Sequence, residues 1–472
     1  MKKVNYKKAS TYYLVGNLFN KGMSFITVPI FTRILATSDY GIITTYNSWI
    51  SILSMVVGFA LHMGIRAAFI DYEDKIDDFM SVTTTFTLAS GLVLTGMVMG
   101  GAFFIKTNLG LTLIFLCMMQ GISTALVQNY THYLMMQYRY KFRTVLMILP
   151  NLISVILSVL AILFVVKSEK YMGRIVPTAA VNIIFGVLLV ILVYRKSHML
   201  FNKEYLRFGL AVSAPLVLHG IALNILSQSD RVMISALADT SQTGIYSLIY
   251  NFSMLATVVT TSLDGVWIPW FTERYKAKKI SNINKYAVDY IHLMTYIMIG
   301  LIMVGPEIVQ ILADARYWEG IKIIPPVVLA NYIIFVYTMY VNVEHFHKKT
   351  VFITINTVIA AVSNLILNFI FIPYFGYVAA AYTTLVSYII ALLLHARYSK
   401  RLEKKLYPIK LFLPSLLHIL AAVAVFYVFM DMPAVRWGAV AVYLGVMAFI
   451  NRGMILRLVP QLSFLKKFRK KS

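Results

Sequence analysis

Lys21 stands inside an apolar stretch that also carries Tyr13, Asn17, Asn20 and Ser24. Spacings of three and four put these side chains on one face of a helix. An ammonium near the centre of a bilayer costs about 2.5–3.5 kcal/mol on insertion scales, so something must offset it. A carboxylate partner such as Asp264 would do so by forming a buried pair; an anionic solute would do so equally well. The same polar spacing recurs at Thr44, Asn47, Ser51, Ser54, Gly58 and His62, at Ser213, Gly220, Asn224, Ser227 and Arg231, and at Tyr250, Ser253, Thr257, Thr261 and Asp264. A shorter stripe holds Gln120, Thr124, Gln128 and Thr131. An isolated hydroxyl of this kind usually serves close helix packing. Whole stripes on several helices instead point to a shared hydrophilic cavity, because polar groups in a membrane face a bundle interior or water. Arg33, Arg66 and Arg231 fall at the ends of apolar runs, where a guanidinium can reach water. His62, His132, His219 and His292 lie in or beside the runs and are expected in hydrogen-bonded packing, with proton relay as the alternative.

The elements that must carry these residues are transmembrane helices. The 472-residue chain is 59% hydrophobic and 13% charged, with a mean hydropathy of +0.75. A soluble protein carries roughly 25% charged residues, so a soluble enzyme, a disordered chain and a fibrous protein are excluded. The net charge of +24 is distributed between long apolar runs, which argues against a nucleic-acid partner. Cys117 is the single cysteine, so no internal disulfide can form and no metal cluster is indicated. Neither a P-loop nor a G-x-G-x-x-G after a strand occurs, and the H-E-x-x-H and G-x-S-x-G signatures are missing as well. No cofactor is implied, and energy is expected from an H+ or Na+ gradient or from substrate supply.

About 20 apolar residues cross the hydrocarbon core. On that criterion fourteen spans are predicted, near 11–32, 42–63, 80–105, 111–136, 144–166, 175–194, 208–227, 243–270, 286–304, 323–343, 350–372, 378–395, 411–430 and 435–450. Basic connectors after the sixth and twelfth spans divide the chain into two six-helix lobes, 1–203 and 204–398, and a pair of further helices with a basic tail, 399–472. No cleavable signal peptide is evident. With the N-terminus inside, most of the 43 Lys+Arg fall on the cytoplasmic side, as the positive-inside rule requires. Both termini are therefore expected in the cytoplasm. Trp267, Trp270, Trp318 and Trp437 lie near span ends and are expected to anchor the bilayer interfaces. Asp289, near the start of span nine, is expected in water.

A repeat runs through the chain. Thr37, Ser38, Gly41 and Ile42 match Thr240, Ser241, Gly244 and Ile245 at one constant offset, each copy ahead of an equivalent span. A fainter echo pairs Thr144 and Asn151 with Thr350 and Asn356. Six spans separate the copies, so the halves face the same way. Parallel repeats of this type place a substrate path between the halves, which suggests a transporter more than an enzyme.

The segment Asn17-Leu-Phe-Asn-Lys-Gly22, followed by Pro29-Ile-Phe-Thr-Arg33 and Asp39-Tyr-Gly41, resembles the opening of bacterial oligosaccharide repeat-unit flippases. Those proteins belong to the multidrug/oligosaccharidyl-lipid/polysaccharide exporter superfamily. Asp230-Arg231 with Gly244-Ile-Tyr246 resembles the start of the second half in the same family. The resemblance implies an all-α polytopic fold of two pseudo-symmetric lobes in a V, with spans one, two, seven and eight lining the cavity. It implies an oligosaccharide on a polyprenyl diphosphate, moved from the inner to the outer leaflet of the bacterial cytoplasmic membrane for surface polysaccharide synthesis. Polysaccharide polymerase and assembly proteins are the implied protein partners, and membrane lipids the surroundings. The expected cargo contacts are Asn17, Asn20, Lys21, Arg33, Asn47, Arg66, Asn224, Arg231, Tyr250 and Asp264. A cation antiporter of the same superfamily is the alternative, disfavoured because only Asp264 and Asp289 fall within the predicted spans. A membrane glycan polymerase or acyltransferase is a further alternative, which lacks a loop large enough for its catalytic groups.

Overall fold

The computed structural model describes residues 6–105 and 110–453, with side chains except at 6–11, 13–15, 17, 18, 20, 21, 24, 104, 105, 214–216, 262, 263, 265 and 266. Among the described residues the fold is all-α. The helices are α1 (Tyr6–Ile34), α2 (Thr37–Val57), α3 (Leu61–Asp71), α4 (Ile76–Ile105), α5 (Leu111–Met136), α6 (Tyr140–Leu160) and α7 (Lys170–Tyr194). They continue as α8 (Lys203–Leu237), α9 (Thr240–Lys276), α10 (Ile280–Leu312), α11 (Ile324–Phe346), α12 (Thr350–Leu402), α13 (Leu413–Val428) and α14 (Pro433–Ile450). Nine helical segments among the described residues are long and apolar enough to cross a membrane, and a bent pair within α8 makes a tenth. α1, α9, α13 and the second arm of α12 are what a count of fourteen would add. α12 is two helices joined at Gly376, whose φ of 58° is left-handed.

The chain forms two compact units. The first comprises Met1–Leu248, Leu312–Tyr317 and Thr350–Ser387. Within it α5 packs on α2, α4 and α7, while α6 packs on α1 and α7, and α8 lies against α2 and α3. Phe79, Tyr133, Leu134 and Leu189 are among the side chains sealed in its core. Its outward faces stay apolar: Ile184, Val187 and Leu188 of α7 and Ile366, Phe369 and Ile370 of α12 are all exposed. Apolar surface on this scale needs a lipid or protein covering, and spans of this length supply the reason.

The second unit comprises Ile249–Ile311, Trp318–Lys349 and Tyr388–Ser472. Burial of α10 and α11 brings Trp267 flat against Tyr290, with ring centroids 4.8 Å apart, and Phe335 against the same tyrosine. Trp267 is therefore a core residue, 7% exposed, and not the interfacial anchor its position near a span end suggests. Arg436 on α14 is buried as well. It donates to the carbonyl of Met303 and the carboxylate of Glu307 on α10, which fixes the added C-terminal helix to the unit. The predicted loop before span ten is mostly helical: α10 runs to Leu312 and a 3-10 helix covers Ala315–Ile323.

Candidate functional site

Two glycines of the repeat meet where α2 and α9 begin. Each helix start is held by an acid of the motif: the Ala36 amide donates to Asp39 (3.3 Å), and the amide of Gln242 to Asp239 (2.8 Å). A Cβ on Gly41 would fall on the Thr240 carbonyl, 2.7 Å from its carbon, and one on Gly244 would fall on the Thr37 carbonyl. The two contacts are the same contact with the copies exchanged. The hydroxyls of Thr37 and Ser241 share a hydrogen bond of 2.5 Å. One turn further in, Ser247 Oγ donates to Thr44 Oγ1 (3.0 Å), joining positions 203 residues apart, the spacing of the repeat. An isologous contact of this kind is what two-fold pseudosymmetry produces. Gly376 adds to it. Its positive φ turns α12 so that the Tyr377 amide donates to the side chain of Gln242, at the start of α9 (3.0 Å).

Below the crossing, the stripes of spans two and seven bond each other. Ser48 Oγ donates to Gln228 (3.1 Å), and Ser51 Oγ to Asn224 Oδ1 (2.6 Å). Arg231 donates through Nη1 to the Ser227 carbonyl and Gln228 and is buried, so it does not reach water as a span-end guanidinium would. This part of the stripe joins helices; Asn47 and Arg66 are exposed. Arg33 is exposed too, and its charge acts on Asp314. The hydrogen bonds from Arg316 are the main reason that the Asp314 carboxyl is held below the ordinary range. Asn17, Asn20 and Lys21 lie on α1, with side chains outside the described residues. In the second unit Tyr250 and Asp264 are half-buried, and Asp264 accepts from Tyr290 (3.1 Å). Ser253 and Thr257, from the same stripe, bond Asn331 of α11.

The most enclosed acid of the first unit lies elsewhere. Asp230 is fully buried because α8 extends well past the predicted end of span seven, to Leu237. It accepts from Asn368 (2.7 Å), Thr384 (2.6 Å) and Tyr246, drawing together α8, α9 and both arms of α12. Asn364 bridges Thr384, Asn368 and Ser229, and Thr383 bonds Asn368. No cation pairs with Asp230 among the described residues. A buried carboxylate that accepts from neutral amide and hydroxyl donors and has no cation beside it is a group that can take up a proton. No cluster of three metal-binding side chains occurs among the described residues, so a transition-metal site is not indicated. The sequence shows only half of this arrangement: Asn364 and Asn368 sit four apart inside an apolar span, where an amide needs a partner, but nothing in the sequence names Asp230 as that partner. In the second unit Glu344 is fully buried and bonds His395 (2.9 Å). Asp289 is 7% exposed, in place of the expected wet position.

The family signature of a polysaccharide biosynthesis protein matches residues 6–275. The chain belongs to that family. Its helices, many of them long and apolar enough to cross a bilayer, make it a multi-pass membrane protein. The Lsg locus putative protein 1 of Haemophilus influenzae is 22% identical over 403 residues, covering 79% of this chain and 94% of that protein. Among solved structures, the lipid II flippase MurJ in an inward closed conformation shares the fold at a TM-score of 0.60 and 19% identity, over 92% of this chain and 100% of that one. The MATE transporter VcmN of Vibrio cholerae shares it at 0.54 and 14% identity, over 86% and 100%.

Proposed function

We propose that this protein is a transporter, and more narrowly a flippase. It carries an oligosaccharide repeat unit on a polyprenyl diphosphate from the inner to the outer leaflet of the bacterial cytoplasmic membrane, with both termini in the cytoplasm. The product serves surface polysaccharide synthesis. The observation that carries the reading is the reciprocal Gly41–Gly244 crossing. It joins two equivalent helix starts on the side that the charge distribution marks as external. A contact of this kind can be made in one state and broken in the other, as alternating access requires.

The halves 1–203 and 204–398 act as the two lobes, with 399–472 added. Arg33, Asn47 and Arg66 line the path in the first unit, joined by Asn224 and Arg231 when the helix-joining bonds open, and Asn17, Asn20 and Lys21 enter from their place in the sequence stripe of span one. Tyr250 and Asp264 enter from their place in the sequence stripe. Amides and hydroxyls suit a glycan, and guanidiniums suit phosphate oxygens. The lipid tail stays in the bilayer and needs no pocket. The Asp230 cage is the proposed seat of the coupling ion, H+ or Na+. MurJ, named a lipid II flippase, supports a lipid-linked cargo through its shared fold.

A cation antiporter is the competing reading, favoured by the buried carboxylate of Asp230 alone. Replacing Lys21 and Arg66 together with Gln, at unchanged protein level, is expected to abolish surface polysaccharide. Unaltered polymer would overturn the flippase reading, and protection against organic cations would support the antiporter.

A further inference from the structure

A buried acid of the second unit takes no part in the polar stripes. Glu344 stands near the end of α11, and its Oε2 lies 2.9 Å from Nδ1 of His395, on the second arm of α12. Both side chains are fully buried. Matched helix faces bring them together. Tyr337, Tyr340 and Glu344 recur along α11 at spacings of three and four, and His395 and Ser399 lie four apart on α12. Tyr337 covers the imidazole: its ring stacks on His395 with centroids 5.5 Å apart, and on Tyr388 at 6.2 Å. The other carboxylate oxygen of Glu344, Oε1, is buried and has no hydrogen-bond partner among the described residues.

The surroundings supply no compensating charge. Tyr337 and Tyr388 present neutral phenols, as does Tyr250 of α9, which is within electrostatic reach of Tyr337. The exposed His345 is within reach of both Glu344 and His395. Lys348, Lys349 and Arg397 are exposed, and Glu344 forms an ion pair with none of them among the described residues. A carboxylate with a neutral imidazole carries one net negative charge; with one further proton the pair carries none. A net charge in an apolar interior is costly, so the packed helices favour the neutral pair. Water entering between α11 and α12 removes that preference, and the proton leaves. The packed arrangement therefore holds one more proton than the opened one, and by linkage it is favoured as pH falls and lost as pH rises. A metal cation fits poorly, because hard cations take about six oxygen ligands and Glu344 offers one free oxygen.

We propose that Glu344 and His395 form a proton-binding site, separate from Asp230, that holds its proton while α11 and the second arm of α12 are packed and releases it to water when they part. The arriving proton neutralises the carboxylate, and the hydrogen bond between Oε2 and Nδ1 shares it with the imidazole. The site lies wholly within the second unit and depends on no choice of cargo.

The test is infrared difference spectroscopy of the purified full chain in nanodiscs, between about pH 6 and about pH 8.5, on either side of the ordinary imidazole range. Glu344→Gln, which keeps a carbonyl oxygen for His395, and His395→Gln should each remove the same pH-dependent feature, and Asp230→Asn should leave it in place. A difference spectrum unchanged by both Gln variants would overturn the site. A second measurement follows the helices. Ser399 is buried on the face that carries His395, so maleimide labelling of a Ser399→Cys, Cys117→Ala chain reports their parting. Comparing its rate with and without Glu344→Gln cancels the titration of the thiol itself. Release of one proton makes that ratio rise with pH, approaching about tenfold per pH unit. A ratio flat across the same range would overturn the link between proton and packing. Both measurements are made without cargo, so a chain that passes them yet moves no lipid-linked oligosaccharide leaves this site standing without the flippase reading.

Discussion

Gly41→Ala tests the helix crossing most sharply. The new Cβ would lie 2.7 Å from the Thr240 carbonyl carbon and 2.9 Å from the Gly244 nitrogen. The Thr240 carbonyl oxygen would be nearer still, 1.7 Å away; non-bonded heavy atoms rest at about 3.5 Å, so α2 and α9 must part by roughly 1.8 Å along that line to accommodate a single methyl. Overpacking of this kind costs typically 1–3 kcal/mol. The cost falls only on the state in which the helices touch. At about 2 kcal/mol the ratio of crossed to parted states drops about thirtyfold. The assay is disulfide formation between Thr37→Cys and Ser241→Cys, whose hydroxyls stand 2.5 Å apart, with Cys117 replaced by Ala. In the parent the pair should oxidise rapidly and block transport until reduced. Adding Gly41→Ala should slow the cross-link by an order of magnitude or more, and Gly244→Ala should do the same because the contact is reciprocal. Undiminished cross-linking in both alanine variants would refute the reasoning.

Asp230→Asn keeps the shape of the cage but offers only one acceptor oxygen to Tyr246, Asn368 and Thr384. Export should lose its dependence on the ion gradient while the melting temperature shifts little; unchanged gradient dependence, measured in energised vesicles, would remove the ion from Asp230. Arg436→Ala strands the Glu307 carboxylate and the Met303 carbonyl. Breaking a buried pair costs about 3–5 kcal/mol, so Tm in detergent should fall by several degrees, whereas replacing both partners with Met should recover much of it. Gly376→Ala forces a side chain into left-handed backbone, at roughly 1–2 kcal/mol, against the Gln242 side chain that it would touch. It should lower Tm and weaken the Thr37–Ser241 cross-link, and an unaltered cross-link would separate the α12 kink from the crossing.

The helices, the repeat and the family were legible because each rests on local signals: apolar run length, charge placement and a matched motif. Asp230 was not. Hydropathy falls where polar side chains accumulate, so span seven was ended before it, while the structure keeps those residues helical by bonding them to α9 and α12. A residue scored alone cannot reveal a partner 138 positions away. The stripes were half legible. Their periodicity groups the polar side chains on one face of each helix, but it is the same whether a serine meets water or meets Asn224, as Ser51 does. Trp267 and Asp289 failed for a related reason. Both lie near span ends, and only the packing of neighbouring helices shows that they are covered.

The central claim is transbilayer movement of a lipid-linked oligosaccharide. It is tested most directly by reconstituting the purified chain in liposomes with a fluorescent polyprenyl diphosphate oligosaccharide and measuring the fraction accessible to an external quencher. The account predicts that accessibility rises beyond the one-leaflet plateau with the wild-type chain, and stays at the plateau once the Thr37–Ser241 cysteine pair is oxidised. A plateau with the active chain, or equal movement in the cross-linked chain, would contradict it.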